Sequence, residues 1–204
     1  TLATCTDTIL RQVRTLRGIV TEFSAFARPP APEPESVDPG RLVEEAVRPY
    51  RGALPLGVHL DLEVGAGLPK LRLDRRLVAR AVVNLVENAL HAVGDEGRIT
   101  VRVRGAREEA VAIVVEDDGP GLSPEALARV FEPFCSTKSD GSGLGLALVR
   151  RVAEDHGGSV TLAGPSGGPT VATLLFPNPG GAPVTPPGSA PAPDEETAAL
   201  GVRK

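Results

Sequence analysis

The chain has 204 residues, 41% hydrophobic and 24% charged, enough for one good core or a core domain with a smaller attachment, in the proportions of a soluble globular protein. A formal charge of -4 supplies no electrostatic basis for nucleic-acid binding, and no apolar run approaches the ~20 residues that span a bilayer. With aromatics at 3% and neither Trp nor Met, the core must be built from Val, Leu, Ile and Ala, and the missing initiator Met suggests a piece excised from a longer protein.

Along residues 1–28, Leu2, Ile9, Val13, Leu16, Val20, Phe23 and Ala27 recur in alternating steps of three and four once Thr6 takes its slot, which is a heptad seam. A lone helix cannot bury such a seam, so a bundle with another chain or with upstream sequence is expected. The prolines of "ARPPAPEPES" end the helix and make residues 29–36 a linker. Asp38 and Pro39 then open a helix with Leu42, Val43, Ala46 and Val47 on one face, the start of a domain spanning residues 37–177. Strands are predicted near Val58 to Val64 and Lys70 to Leu73, followed by a long helix from about Asp74 to Val93. Further strands are predicted at Ile99 to Val103 and Ala110 to Glu116. A loop-rich region, Asp118 to Ser142, leads into a helix near Leu144 to His156 and a hairpin of Ser159 to Ala163 with Thr170 to Phe176. The pattern predicts an α/β two-layer sandwich, a mixed sheet covered on one face, preceded by a long bundle-forming helix. Residues 178–204, rich in Pro, Gly and Ala, read as a disordered tail. Cys5 and Cys135 match no zinc-ligand spacing and read as reduced thiols.

Three segments interrupt the apolar pattern. In "VVNLVENALHAV", Asn84 and Asn88 stack one helical turn apart on a helix whose other faces are apolar. Their amide oxygens can ligate a hard cation and their NH₂ groups can donate to phosphate, although two helix-end or solvent-facing asparagines give the same pattern. In "VEDDGPGL", Asp117 ends a hydrophobic strand and runs into Gly119 and Gly121. Alone this is an ordinary turn, but a carboxylate there can also accept from an exocyclic amine while the glycines admit a flat ring to the backbone. In "STKSDGSGLGLALV", Gly141, Gly143 and Gly145 precede a helix, where backbone N–H groups suit a polyphosphate. A glycine triplet is weak evidence by itself, lacking both the P-loop ending and the dinucleotide fingerprint.

Together, "NLVENALHAV", "DDGPGL", "VFEPFCSTK" and "GSGLGLALV" resemble the N, G1, F and G2 boxes of sensor histidine kinases. Their ATP-binding domain belongs to the GHKL superfamily, with the Bergerat fold, shared with gyrase and heat-shock chaperones. The preceding helix and linker are similar to the second helix of the dimerisation and histidine-phosphotransfer hairpin, particularly in nitrogen-regulation-type kinases. The resemblance implies ATP and Mg²⁺ as cofactors, with Asn88 as the metal ligand and Asn84 beside metal and phosphates. It makes Asp117 the adenine-reading carboxylate, with Gly119 and Gly121 shaping the base pocket and Thr170 supporting it. Gly141, Gly143, Leu144 and Gly145 become the phosphate-side hinge of an ATP lid anchored by Phe131 and Phe134, and Lys138 a phosphate or acceptor-side contact. Hydrolytic superfamily members place a glutamate at the position of Asn84. An amide cannot act there as a general base, so transfer to a protein nucleophile is the expected chemistry.

None of the three histidines suits as that nucleophile. His59 lies in a predicted strand, His156 at a helix end where a cation is favoured, and His91 in the nucleotide-site helix as a neighbour of the phosphates. The resemblance therefore implies a phosphoacceptor upstream of Thr1, a homodimer through the N-terminal helix, and relay to the receiver domain of a response regulator. It implies a cytoplasmic location, with the parent free to be anchored at the inner membrane. A GHKL-type ATPase and a nucleotide-sensing dimerisation module stand as alternatives.

Overall fold

The computed structural model describes residues 6, 10, 13, 31–52, 54–106, 110–135 and 142–178. Thr6, Leu10 and Val13 are helical, and Leu10 and Val13 are 46% and 54% exposed. The rest of the N-terminal seam and the tail from residue 179 lie outside the described residues.

The domain opens with β1 (Glu35–Val37), which pairs antiparallel with β3 (Leu71–Leu73) and so takes the last residues of the expected linker into a small sheet. Helix α1 (Pro39–Arg51) starts where its signals place it: Pro39 fills the first turn and the Asp38 carboxylate accepts the Arg41 N–H at 3.1 Å. Helix α2 (Arg75–Val93) is capped by Asp74, which accepts from Arg76 N at 2.9 Å and Leu77 N at 3.1 Å. It stops at Gly94, whose φ of 67° most side chains avoid. A short helix, α3 (Pro124–Arg129), interrupts the region read as loop, and α4 (Gly145–Asp155) follows the glycine-rich segment.

The main sheet contains β2 (Gly57–Val64), β4 (Glu96–Gly105), β5 (Val111–Asp117), β6 (Ser159–Ala163) and β7 (Thr170–Phe176) in the order β2-β4-β5-β7-β6. Its β2–β4 pair is parallel and the other pairs are antiparallel, the mixed sheet expected. Period-two alternation turns Ile99, Val101 and Val103, and Val111, Ile113 and Val115, into one core with Leu42, Val43 and Val47 of α1, Val78, Val82, Leu85 and Val86 of α2, and Val149 and Val152 of α4. On the opposite face charges pair across strands: Arg98 meets Asp61, and Arg102 lies between Glu63 and Glu116. Beside them Ala110, Ala112, Val114 and Leu175 form a small second apolar cluster, so the outer face is not uniformly polar.

Asp74, 2% exposed, ties three parts of the chain together. Besides capping α2, its Oδ2 accepts the backbone N–H of Glu33 at 3.0 Å. Its own N–H donates to Nε2 of His156, just past α4, at 2.8 Å. Nδ1 of that ring lies 2.7 Å from the Val152 carbonyl, which calls for the tautomer with hydrogen on Nδ1. The ring also meets Phe176 edge-on, with centroids 6.0 Å apart. His156 thus serves as a hydrogen-bond acceptor between elements, in place of the helix-end cation expected from the sequence.

Burial pushes the Asp74 carboxyl up, but the N–H donors of Glu33, Leu77 and Arg76, with the Arg76 charge, outweigh it and hold the group below the usual aspartate range. Its contribution to stability is therefore complete above the unfolded-state value of about 4 and is lost as pH falls through the lower folded value. In Asp74→Asn an amide NH₂ would face the Glu33 N–H, donor against donor. Urea unfolding at pH 7 should show a loss of about 1–3 kcal/mol that shrinks toward pH 3; a gap constant across that range would mean the charge is not its source.

Candidate functional site

The site lies along the edge of α2 that faces α4. Val78, Val82, Leu85 and Ala89 turn one side of α2 into the core, which leaves Asn84 and Asn88 half-buried on the flank, one above the other. The Asn84 amide donates from Nδ2 to the carbonyl of Gly145, the first residue of α4, at 3.4 Å. That contact joins the first polar motif to the third. His91 is exposed one turn further on, with Nδ1 2.5 Å from the Glu87 carbonyl. Glu87 itself points away from the asparagine row and accepts the Tyr50 hydroxyl of α1 at 2.7 Å. Burial first, then that carboxylate, raises the Tyr50 hydroxyl above its ordinary range.

Asp117 closes β5, 6% exposed, paired across the sheet with Ile99 on one side and Thr170 on the other. Its Oδ1 accepts the Gly119 N–H at 3.1 Å, and the Thr170 side chain hydrogen-bonds the same carboxylate. Burial is the largest influence on this group; together with Asp118 and Glu116 it outweighs these donors and leaves the carboxyl above the usual range. A raised carboxyl opposes folding once it ionises, which marks Asp117 as placed at a cost to stability.

The glycines are required by close approach. A Cβ at Gly119 would lie 2.7 Å from Asp117 Oδ1 and 2.9 Å from Ala92 Cβ, pressing on the C-terminal end of α2. Gly121, at φ 71°, abuts the β6–β7 turn, where a Cβ would fall 1.9 Å from the Pro165 carbonyl oxygen. The same turn donates from Gly167 N to the Pro120 carbonyl at 2.6 Å. Gly143, at φ 68°, leaves no room for a Cβ against the Phe134 backbone, and Phe134 N donates to its carbonyl at 3.0 Å. Leu144, 2% exposed, seats the start of α4, and its N–H donates to Ser142 Oγ at 3.2 Å.

Asp117, Gly119, Gly121 and Thr170 therefore gather near the C-terminal end of α2, and Asn84, Gly143, Leu144 and Gly145 gather where α2 meets the start of α4. Asn88 and His91 lie along the helix between them. Lys138 and Gly141 lie outside the described residues. Phe134 departs from its expected anchoring role: the residue is 65% exposed, its φ is +63°, and its backbone makes the tie to Gly143. Sequence reasoning also passed over Asp118, whose Oδ1 accepts Arg98 N at 2.8 Å and fixes the strand end beside Asp117. The doubled aspartate of "EDDG" was the available signal.

Residues 73–180 match the family described as histidine kinase-, DNA gyrase B- and HSP90-like ATPase, and the chain belongs to that family. It is 40% identical over 165 residues to nitrogen regulation protein NtrY of Azorhizobium caulinodans, covering 78% of this chain and 21% of that protein. It is 32% identical over 168 residues to sensor histidine kinase ZraS of Klebsiella oxytoca, covering 82% of this chain and 36% of that one. The chain thus spans roughly a fifth to a third of these relatives. Among solved structures, full-length ShkA in complex with AMPPNP superposes with a TM-score of 0.72 at 29% identity, over 87% of this chain and 39% of that one. The nucleotide-free catalytic domain of histidine kinase ThkA gives 0.63 at 26%, over 72% and 96%. The two-layer architecture expected from the sequence is that of these kinase domains.

Replacing Gly121 by Ala sets a methyl group against the Pro165 carbonyl at a φ that Ala avoids. Thermal or urea unfolding should register a loss of about 2–3 kcal/mol. A loss below about 0.5 kcal/mol would show that the β6–β7 turn yields freely.

Proposed function

We propose that this chain is the ATP-binding catalytic region of a two-component sensor histidine kinase, transferring the γ-phosphoryl group of ATP to a histidine outside the chain for relay to a response-regulator aspartate. The observation that carries this reading is Asn84: an amide bonded to the Gly145 carbonyl, one turn before Asn88, where a hydrolytic relative would carry a glutamate. With no general base in that place, water attack is disfavoured and the site serves transfer.

Base recognition falls to Asp117. Gly119 N–H holds its Oδ1, which leaves the second oxygen to accept from the exocyclic amine of adenine, with Thr170 bracing the carboxylate and Gly119 admitting the ring. At the far end, Gly143, Leu144 and Gly145 lead into the positive end of α4, where backbone N–H groups meet phosphate, and Gly141 and Lys138 would complete that side. Asn88 supplies one hard amide oxygen. Among the described residues no group of three or more His, Cys, Asp or Glu gathers to cage a metal, and a donor set of this kind suits Mg²⁺ carried chiefly by phosphates and water. Bound there, Mg²⁺ would offset the phosphate charge during transfer.

The chain's histidines support an external nucleophile. His156 has both ring nitrogens engaged, His59 faces outward on β2, and His91 is held through Nδ1 on the helix that carries the asparagines. The exposed Leu10 and Val13 suit a helix that pairs with another in a homodimeric bundle. Residues 1–28 would then be the second hairpin helix, 29–36 its linker, 37–177 the catalytic domain and 178–204 a tail. Among the described residues no helix is long and apolar enough to cross a membrane, and a cytoplasmic catalytic region fits the proposed relay.

Calorimetric titration should show ATP binding in the presence of Mg²⁺. In Asp117→Asn the amide nitrogen would take the place of the accepting oxygen, so affinity should fall at least tenfold while the melting temperature is unchanged or higher. The chain alone should acquire no acid-labile phosphate but should label an added parental hairpin that bears the acceptor histidine. Labelling of the chain itself at unit stoichiometry, or no labelling of the hairpin, would sink the kinase reading.

A further inference from the structure

The arginines near the head of α2 differ in how their charge is used. Arg75 pairs with Glu45, and Arg76 lies 3.9 Å from both Glu33 and Asp74. Arg80, on the same helix, has no hydrogen-bond or ion-pair partner among the described residues, yet it is half-buried. The other described arginines without a carboxylate, Arg48, Arg51, Arg72 and Arg104, are all exposed. A partly desolvated guanidinium with five unused donors is costly unless it has something to bind.

Its place on the helix says what that is. Arg80, Asn84 and Asn88 follow one another at four-residue steps, so each lies only ~40° around the axis from the next and they form one ridge. The direction of the ridge is set at its ends. Ala92 lies against Gly119 at the Asp117 end, and Asn84 bonds to Gly145 at the glycine-rich end. From Ala92 to Asn84 is ~12 Å along the axis, and Arg80 stands ~6 Å further in the same direction. A nucleotide with its base at Asp117 and its phosphates along Asn88 and Asn84 directs its last phosphate toward Arg80.

We propose that Arg80 binds the terminal phosphoryl group of a nucleoside triphosphate and so separates triphosphate from diphosphate at this site. The inference rests on the nucleotide-site reading given above. The forked, permanently charged guanidinium matches the oxygens of a terminal phosphate, and among the described residues no carboxylate competes for it. A diphosphate in the same pose stops short of it.

The experiment titrates the chain, and its Arg80→Gln and Arg80→Lys variants, with ADP and with AMPPNP at fixed Mg²⁺, alongside a thermal melt of each. In Arg80→Gln, AMPPNP affinity should fall about tenfold and ADP affinity should stay within about twofold, with Arg80→Lys intermediate. Equal losses for both nucleotides, or no loss for either, overturn the proposal while leaving the nucleotide site standing. Failure of the unaltered chain to bind ADP overturns the site reading as well. If Arg80→Gln melts before it can be titrated, Arg80→Lys carries the test, because it keeps the charge and the apolar stem: an AMPPNP loss larger than its ADP loss supports the role, and equal losses refute it.

Discussion

The carboxylate of Asp74 is the constraint on which the site geometry depends. One side chain caps α2 through Arg76 and Leu77 and takes the N–H of Glu33 from the segment before β1. Its backbone N–H, given to His156, fixes the head of α2 to the end of α4. Since α2 is rigid over nineteen residues, anchoring its first turn sets where Asn84 and Asn88 stand further along it. Asn84 then contacts the start of α4 at Gly145, so the two helices are joined at both ends of their overlap. The spacing of the two helices is set by those two contacts and by the shared core of Val82, Leu85, Leu148 and Val152 between them.

Two buried aspartates show how differently the same side chain can be used. Asp74 is surrounded by backbone donors that overcome its burial, so its ionised form is favoured and it stabilises the fold. Asp117 has two donors, Gly119 N–H and the Thr170 side chain, and two like charges nearby, and burial prevails. A carboxylate left short of donors at a strand end keeps capacity to accept a further hydrogen bond. The sheet register places it there: with Asp117 opposite Thr170 and Ile99, a slip of one residue would turn the carboxylate to the outer face.

Elements with strong local signals were legible in the sequence. The Asp38–Pro39 and Asp74 caps, the alternating strands and the closing hairpin carry their own chemistry, and the structure forms each within a few residues of the expected bounds. Strand β1 was not legible because three residues in a proline-rich run have no periodicity; it exists only because β3 offers a partner. Helix α3 had signals, Ser123 as cap and Pro124 in the first turn, but six residues with none buried leave no apolar stripe. The candidate site was visible as residue types and order, while its connections were not. That His156 would accept from Asp74, 82 residues away, depends on how α4 packs, and no local pattern encodes it.

The base of the segment between Phe134 and Gly143 shows why some polar motifs must be read by backbone rather than side chain. Gly143 and Phe134 both hold positive φ, and they are joined by an N–H to carbonyl bond at 3.0 Å. For Gly143 that conformation is nearly free, whereas for Phe134 it is strained, on the order of 1 kcal/mol, and must be held by its surroundings. The bond brings Phe134 and Gly143 together, and Gly143 leads into the start of α4 at Gly145, which Asn84 contacts. A phenylalanine that is 65% exposed does not hold that place by packing. Its role at this point is to turn the chain, and the glycine opposite is required because the turning backbone occupies the space where a side chain would be.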